Sequence, residues 1–291
     1  MWCIWISRRH LTRCHMKGYC TRALPVTGRA KWETNMATTV GSPSVGKRVA
    51  AAILSPFHDT TEWWMEQSEI DVVAATENVL SMYRDMEIEE KLAFYNSWCE
   101  NYDQQMTVME YEAPRFGVET LDSVYPEDRG SALVLDVPCG TGQVAEGLQK
   151  VGFKNIHGID GNEGMLKTAE SKGLYQRLTQ WMITADKPLP LKAGTYDLVT
   201  IVGGLVQQHL PWDILPEILR VTKPGGLICF TLPTIKCDYR NKVLASVHEL
   251  VCKGQWEKIV EQHVEQWQKA ILPTHITEEY VDGLVAVYRK K

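Results

Sequence analysis

The chain has 291 residues, of which 44% are hydrophobic and 23% charged, and its formal net charge is −5. This length accommodates one large or two small domains, and no apolar run approaches the roughly twenty residues that span a bilayer. The eight cysteines include no C-x-x-C pair and no zinc-ligand spacing, which argues against a disulfide framework or a metal site and favours a reducing intracellular compartment.

Charge is unevenly distributed along the chain. Residues 1–32 contain seven basic side chains and no acid, so the formal net charge of the remaining residues is −12. An acidic body argues against a nucleic-acid partner, whose binding rests largely on phosphate neutralisation. We predict that residues 1–60 form either a disordered basic tail of a cytoplasmic protein or, if residues 1–35 act in targeting, a mitochondrial presequence.

Residues 61–125 are predicted to form a helical lid region. A helix is expected from Glu66 to Leu92, where apolar residues recur on one face. An aromatic-rich stretch, Phe94–Asp103, follows it, and a second helix is expected from Gln105 to Leu121.

The most informative stretch follows this region. An apolar run, Ala132–Leu135, ends at Asp136 and leads through a small-residue loop containing Gly140 and Gly142 into a segment of helical spacing. A second strand, Asn155–Asp160, also ends in an acid. A strand, glycine loop, helix and acid-ended strand within about thirty residues indicate a nucleotide-binding half-unit.

This half-unit suits two kinds of ligand. Gly140, Gly142, Ala145 and Asp160 fit the dinucleotide fingerprint, which would make the protein a dehydrogenase that uses NAD. Asp136 argues otherwise, because a carboxylate at the strand tip would oppose a pyrophosphate at the helix N-terminus. It suits a cationic ligand that bears an ammonium and a sulfonium, as S-adenosylmethionine does. An ordinary strand-to-helix turn is the remaining alternative.

The rest of the chain alternates strands and helices, as a mostly parallel sheet requires. The predicted strands are Trp181–Thr184, Tyr196–Val202, Leu227–Leu232 and Leu284–Tyr288. The predicted helices are Gly164–Ser171, Trp212–Val221, Asn241–Lys253 and Trp256–His263.

Taken in order, these motifs resemble those of class I S-adenosylmethionine-dependent methyltransferases over about two-thirds of the chain. The residues that carry the resemblance are Leu135–Gly142, Asp160, Ala185–Asp186, Tyr196–Asp197 and Lys223–Gly226. Five further segments are similar to the methyltransferase-like proteins of the Williams–Beuren syndrome chromosomal region: Phe94–Trp98, Asn101–Gln104, Ala113–Arg115, Gly173–Leu178 and Ile201–Gly203.

The resemblance implies an α/β fold: a Rossmann-like, mostly parallel seven-stranded sheet with helices on both faces and an N-terminal helical extension. Residues 126–291 would form the class I methyltransferase domain. One residue departs from the pattern. Pro138 stands where the broad family usually has Gly and the closer subgroup Ala, so the backbone amide donor at that position is lost.

The resemblance also implies roles for individual residues. Asp136 would orient the cofactor ammonium, directly or through water; alternatively it caps the amides of the loop. Asp160 would accept both ribose hydroxyls, because one carboxylate has two oxygens; alternatively it caps a helix. Asp186 would contact the adenine edge or cap the turn before Pro188. The other implied cofactor contacts are Cys139, Gly140, Gly142, Gly161, Asn162, Met165, Ala185 and Val202.

Four side chains outside the general class I motifs complete the predicted site. Trp98 and Tyr102 would either cover the sulfonium through cation–π attraction or only pack a helix onto the sheet. Arg115 would pair with the cofactor carboxylate or form a surface salt bridge. His209 is the candidate general base, since it follows the fourth strand and titrates near neutrality; its alternative role is structural.

The predicted function is methyl transfer from S-adenosylmethionine by in-line displacement to an unidentified small or medium acceptor, a small molecule or a peptide. Holding the reacting atoms about 3–3.5 Å apart supplies much of such catalysis, so a general base is optional. Two alternatives stay open: a protein that binds the cofactor without transfer, suggested by Pro138, and an NAD-dependent oxidoreductase.

Overall fold

A computed structural model of the chain describes residues 72–125, 127–272 and 275–291. The predicted tail or presequence, and the first residues of the helix predicted from Glu66, lie outside the described residues. In the described part of the chain, no helix is both long enough and apolar enough to cross a membrane.

The centre of the fold is a seven-stranded sheet with strand order β3-β2-β1-β4-β5-β7-β6. Strands β1 to β5 are parallel, and β7 runs antiparallel to both β5 and β6. The strands are β1 (Leu133–Asp136), β2 (Asn155–Asp160), β3 (Arg177–Gln180), β4 (Tyr196–Ile201), β5 (Thr222–Pro233), β6 (Trp256–Leu272) and β7 (His275–Lys290). The predicted Rossmann-like fold class is therefore confirmed.

Helices cover both faces of this sheet. They are α1 (residues 72–82), α2 (Ile88–Trp98), α3 (Tyr102–Val108), α4 (Ala113–Val124), α5 (Gln143–Lys150), α6 (Glu163–Ser171), α7 (Leu215–Val221) and α8 (Asp238–Cys252). Successive strand residues point to opposite faces. Val134 and Leu198 accordingly pack in the core with α4 and α5, whereas Leu135 and Val199 pack with α7 and α8.

The third strand is not where the sequence predicted it. The strand is Arg177–Gln180, and Trp181–Thr184 follow it without regular structure. This strand lies at the sheet edge, and none of its residues is fully buried, so it lacks an apolar run. The apolar signal came from residues just beyond its end, where Ile183 is buried.

The prediction of a helix over Trp256–His263 is wrong. These residues begin β6, which pairs with β7 along most of its length. Register shifts between Lys258 and Val260, and again between Val264 and Gln268, break the alternation that marks a strand. The remaining apolar spacing resembles that of a helix.

The helix predicted from Gln105 to Leu121 is two helices, α3 and α4. Pro114 lies in the first turn of α4, and proline is tolerated there because the first amides of a helix have no intrahelical acceptor. Glu110, in the connection, has a positive φ of 49°. The chain therefore turns at this point, and α3 and α4 take different directions.

Candidate cofactor and acceptor site

A cavity of about 210 Å³ lies at the carboxyl ends of β1, β2 and β4, beneath the lid helices α1 to α3. Open α/β sheets bind ligands at this edge. One half of its wall comes from the sheet and its loops: Pro138, Cys139, Gly140, Thr141, Asp160, Gly161, Asn162, Met165, Met182, Ile183 and Val202. The other half includes Met82, Tyr83, Lys91, Tyr95, Tyr102, Met106, Tyr111, His209, Leu210, Trp267 and Gln268.

Asp160 joins the glycine loop to the start of α6. Its Oδ2 accepts a hydrogen bond from the amide of Gly140, and its Oδ1 accepts one from the amide of Asn162, each at 2.9 Å. Burial raises the pKa of Asp160, while these amide donors lower it. Each carboxylate oxygen keeps a further lone pair, so Asp160 can still accept from a vicinal diol at the cavity wall.

The glycine loop leaves room for a ligand. Gly140 has φ +51°, and a Cβ added there would meet no atom within 4 Å, so open space lies in front of its backbone. Gly142 has φ +92°, and an added Cβ would lie 3.1 Å from the ring of Tyr175. Gly140 therefore faces space and Gly142 faces packed protein. Cys139, also at the wall, is buried.

Asn162, not Asp160, caps helix α6. Its side-chain oxygen accepts from the amide of Met165 at 2.9 Å, and its Nδ2 donates to the carbonyl of Leu92 in α2 at 2.8 Å. The helix-cap alternative considered for Asp160 thus belongs to its neighbour. Asn162, Gly161 and Met165 all reach the cavity wall, as the sequence predicted.

Ala185 and Asp186 do not reach the cavity. Both are exposed and lie outside its lining. The reason is the earlier end of β3 at Gln180, which brings Met182 and Ile183 to the wall instead. The structure thus places an apolar surface where the sequence predicted a polar contact.

Asp136 lies beneath the glycine loop and not at the wall. It is fully buried, and its two oxygens accept hydrogen bonds from the hydroxyls of Tyr175, at 2.7 Å, and Thr200, at 2.9 Å. Burial raises its pKa to about 7, against the opposing effect of these two donors. The structure does not bring Asp136 into the cavity, and its partners are hydroxyls and not the amides of the loop.

Asp103 is a site residue that sequence reasoning missed. It lies at the start of α3, and its Oδ1 accepts from Thr141 Oγ1 at 2.5 Å and from Gln143 Nε2 at 2.8 Å. Its Oδ2 pairs with Lys172 Nζ at 2.5 Å. A carboxylate thus sits against the side chains at the start of α5, where a diphosphate would have to bind.

A second connection holds the lid to the adjacent helix. The amide of Gly164, in α6, donates to Asn96 Oδ1 in α2 at 2.9 Å. Together with the bond from Asn162 to the carbonyl of Leu92, it fastens α2 over the start of α6. The lid is therefore attached on both sides of the sheet half of the cavity.

Tyrosines form the lid side of the cavity wall, and Trp98 lies behind them. Trp98 is buried, its Nε1 donates to Gln105 Oε1 at 2.6 Å, and it is absent from the lining. Its ring packs against Tyr102 at 4.8 Å and stacks on Tyr95 at 5.8 Å between centroids. Of the two predicted aromatic contacts, the structure brings only Tyr102 to the cavity.

The wall tyrosines keep their protons at neutral pH. Burial raises the pKa of each of these hydroxyls, to about 12 at Tyr83. The four are Tyr83, Tyr95, Tyr102 and Tyr111.

His209, the candidate base, lies at the cavity wall, and both of its ring nitrogens are within hydrogen-bonding distance of another residue. Its Nε2 lies 2.6 Å from Tyr95 Oη, and its Nδ1 lies 3.2 Å from the carbonyl oxygen of Gln207. Burial, with a smaller contribution from the nearby Lys91 ammonium, lowers its pKa to about 4, against the opposing effect of the hydrogen bond to the carbonyl of Gln207. The imidazole is therefore neutral at physiological pH.

Arg115 lies on the exposed side of α4, outside the cavity lining. It pairs with Glu112 at 2.5 Å and with Glu119 at 2.9 Å, and its guanidinium lies 4.2 Å from the ring of Phe116. The surface salt bridge is thus the alternative that the structure supports. The neighbouring Pro114 faces the cavity instead.

Strand β6 supplies Trp267 and Gln268 to the lid half of the cavity wall, a contribution that the predicted helix over Trp256–His263 did not suggest. The carbonyl of Trp267 accepts from the amide of Glu112, and the amide of Lys269 donates to the carbonyl of Met109, so β6 is bonded to the connection between α3 and α4. An added Cβ at Gly283 would lie 1.8 Å from the ring of Trp267, which shows that the ring lies directly on that glycine.

The groups at this site suit an organic cofactor. Within the described residues, no cluster of three or more His, Cys, Asp or Glu side chains could hold a metal ion. The open face of Gly140, the free lone pairs of Asp160 and the apolar surface of Met165, Met182 and Ile183 match a ligand with a sugar diol and a flat base.

Comparison with known proteins places this site in a recognised family. Residues 135–230 match a family profile described as a methyltransferase domain. Human methyltransferase-like protein 27 is 43% identical over 176 residues, which cover 60% of this chain and 71% of the human protein. Demethylmenaquinone methyltransferase from Lactiplantibacillus plantarum is 33% identical over 144 residues, 46% of this chain and 59% of the relative.

One further relative and one solved structure extend the comparison. The ubiquinone/menaquinone biosynthesis C-methyltransferase of Bartonella quintana is 28% identical over 172 residues, 56% of this chain and 66% of that protein. The crystal structure of a TehB-like methyltransferase from Corynebacterium glutamicum has 20% identity and a TM-score of 0.45, covering 67% of this chain and 99% of its own. The chain thus spans 59% and 66% of the lengths of the Lactiplantibacillus plantarum and Bartonella quintana relatives.

Proposed function

Because the chain belongs to the S-adenosylmethionine-dependent methyltransferase family that includes human methyltransferase-like protein 27, we propose that it transfers a methyl group to a small, neutral and largely apolar acceptor. The cofactor of the family is S-adenosyl-L-methionine, which supplies an electrophilic methyl group when bound. The sheet half of the cavity would hold the cofactor, and the lid half would hold the acceptor.

Specific residues would hold the cofactor. Asp160 would accept the ribose hydroxyls through the lone pairs that the amides of Gly140 and Asn162 leave free. Met165, Met182 and Ile183 would cover the adenine with apolar surface. Asp136 would act at a distance, by holding Tyr175 against the glycine loop.

The proposal of a small, neutral acceptor rests on the residues that line the lid half of the cavity, where the acceptor would bind. Its described lining is dominated by tyrosines, methionines and Trp267, and Asp160 is the one carboxylate among the described residues that line the whole cavity. A basic peptide would need acidic partners close to its charge, because burying an unpaired charge is costly. A small neutral acceptor is therefore favoured over a lysine- or arginine-bearing peptide.

The names of two relatives favour an acceptor that contains an aromatic ring. One is named for demethylmenaquinone and another for ubiquinone and menaquinone biosynthesis, and both names refer to quinone rings. Aromatic side chains pack well against flat rings. An aromatic compound of modest size is accordingly the class to test first.

Methyl transfer can be tested with methyl-labelled S-adenosylmethionine and a panel of phenols, quinols and small amines. We expect labelled product from the wild-type protein and little or none from Asp160→Asn. Binding of S-adenosylhomocysteine, measured in parallel, shows whether the protein is loaded. A loaded protein that labels no compound would favour binding without transfer, the alternative that Pro138 suggested.

The dinucleotide alternative is disfavoured by the contacts at the start of α5. The side chains of Thr141 and Gln143 are already bonded there to Asp103, which also pairs with Lys172, so a diphosphate would have to displace these bonds. The cellular location stays a prediction, cytoplasmic with a mitochondrial alternative, since residues 1–35 lie outside the described part of the chain.

A further inference from the structure

The direction of the hydrogen bonds around His209 follows from the chemistry of its partners. The carbonyl oxygen of Gln207 can only accept, so His209 Nδ1, 3.2 Å away, must carry the proton in that bond. In the neutral ring, Nε2 then has a lone pair and no proton. The bond at 2.6 Å between Nε2 and Tyr95 must therefore be donated by the Tyr95 hydroxyl.

The direction of this hydrogen bond determines whether Tyr95 can donate a hydrogen bond to a ligand in the cavity or accept one from it. A phenolic hydroxyl has a single proton, and Tyr95 donates it to His209 in this hydrogen bond, so toward any other group Tyr95 Oη can only accept. Tyr95 and His209 both line the cavity. Among the described residues, the other wall tyrosines show no hydrogen bond to a histidine, and their hydroxyls stay free to donate or accept.

Packing holds the pair in this arrangement. The Tyr95 ring stacks on Trp98 and meets Phe94 edge to face at 5.2 Å. The rings of Tyr95 and His209 are 5.9 Å apart and nearly perpendicular. The ammonium of Lys91 lies near His209 and disfavours protonation of the imidazole. The acceptor property of Tyr95 is thus built into the wall and does not depend on a rotating hydroxyl.

We propose that Tyr95 is a specificity-determining residue that accepts a hydrogen bond from an O–H or N–H group of the methyl acceptor, with His209 as the positioning residue that fixes this polarity. The inference rests on the proposed function, because it concerns the lid half of the same cavity. It narrows the substrate to small neutral molecules that carry a hydroxyl or amine next to an apolar body. It also replaces the predicted role of His209 as a free general base.

The test compares phenol with anisole, in which a methyl group replaces the hydroxyl proton, and compares this pair between variants so that the effect of the added methyl cancels. Their affinities are measured by NMR titration of the protein saturated with S-adenosylhomocysteine. The wild-type protein should prefer phenol roughly two- to tenfold, the range expected for one neutral hydrogen bond. Tyr95→Phe should abolish this preference, and the control Tyr288→Phe, at a tyrosine outside the cavity lining whose hydroxyl bonds Glu261, should retain it.

A second variant separates positioning from a merely structural role. In His209→Leu the Tyr95 hydroxyl loses its hydrogen-bond acceptor and can donate to the anisole oxygen instead. The affinity for anisole should therefore rise relative to that for phenol. The imidazole ¹⁵N resonances of the wild-type protein should show a proton on Nδ1 of His209 and none on Nε2.

Calorimetry with S-adenosylhomocysteine on each variant distinguishes the possible failures. If the wild-type protein does not bind S-adenosylhomocysteine, the proposed function itself is rejected. If that binding is intact, then equal affinities for phenol and anisole, no saturable binding of phenol, or a proton on Nε2 of His209 would overturn the assignment of Tyr95.

Discussion

Asp103 Oδ1 accepts a hydrogen bond from Thr141 Oγ1 at 2.5 Å, which joins helix α3 of the lid to the glycine loop of the sheet. The same carboxylate also accepts a hydrogen bond from Gln143 Nε2 and forms an ion pair with the ammonium of Lys172. One side chain of the lid thus contacts both the loop and the residues beyond α6. Because the cofactor half of the cavity lies beneath this connection, we expect cofactor exchange to require its opening.

The first prediction concerns this connection. Asp103→Asn keeps the size of the side chain but removes the charge that attracts Lys172, so the lid should open more often. We expect S-adenosylhomocysteine to dissociate about three- to tenfold faster in stopped-flow measurements, as the loss of one charge-assisted hydrogen bond implies. Asp122→Asn, a carboxamide substitution outside the cavity lining, is the control. An unchanged dissociation rate in Asp103→Asn would refute the lid account.

The second prediction concerns the adenine side. Met182 reaches the wall and Asp186 is exposed outside it. Met182→Ala should weaken S-adenosylhomocysteine binding about tenfold through lost apolar contact, whereas Asp186→Ala should leave the dissociation constant unchanged within about twofold. Calorimetric titration of the two variants measures both effects. A larger loss in Asp186→Ala than in Met182→Ala would restore the arrangement that the sequence suggested.

The third prediction concerns the pH dependence of stability. Burial raises the pKa of Asp136 to about 7, above the ordinary value of 3.8 that it would have in the unfolded chain. Between these two pH values the folded state holds a proton that the unfolded state has lost. The contribution of this group to the free energy of unfolding is therefore full below about pH 4, falls as pH rises, and levels off above about pH 7.

Asp136→Asn removes this titration while keeping a side chain of similar shape. Urea unfolding of wild-type and variant protein from pH 4 to pH 8 measures the difference in slope, which should not exceed about 1.4 kcal/mol per pH unit. The wild-type protein should lose more stability across this window than the variant does. Parallel curves would show that Asp136 is ionised in the fold throughout, contrary to its burial among Tyr175, Thr200 and Asp160.

The fourth prediction concerns the support of the acceptor half. Gly283→Ala would place a Cβ 1.8 Å from the ring of Trp267, so the ring must move. We expect the free energy of unfolding to fall by about 1–3 kcal/mol, as in other overpacked sites, together with a shift in tryptophan fluorescence. Gly130→Ala, whose Cβ would approach only Lys154 at 4.0 Å, should change stability by less than about 0.5 kcal/mol. Equal stabilities of the two variants would contradict the packing of Trp267.

The parallel part of the sheet could be predicted because each inner strand carries its own signal. Strand β2 has the bounds that the sequence predicted, and β1, β4 and β5 contain most of the apolar runs assigned to them. Strand β3 could not be placed, since an edge strand of four residues without a buried side chain has no apolar run. Strand β6 was mistaken for a helix because its bulges disrupt the two-residue period.

The candidate site was predictable where residues follow a strand end directly. Asp160, Gly140 and Asn162 reach the cavity because each lies in or next to the first residues after β1 or β2. Asp103 and Tyr95 were missed as functional residues because only the packing of the lid brings them to the loops of the sheet. Such contacts join residues far apart in the chain, and no local spacing indicates them.

Calorimetric titration of S-adenosylhomocysteine into the wild-type protein and Asp160→Asn tests the central claim most directly. The account predicts wild-type binding on the order of micromolar and a loss of about ten- to a hundredfold in the variant, the range for a hydrogen-bonded charged group, while NADH binds neither protein. Equal binding of S-adenosylhomocysteine by both proteins, or saturable binding of NADH in its place, would contradict it.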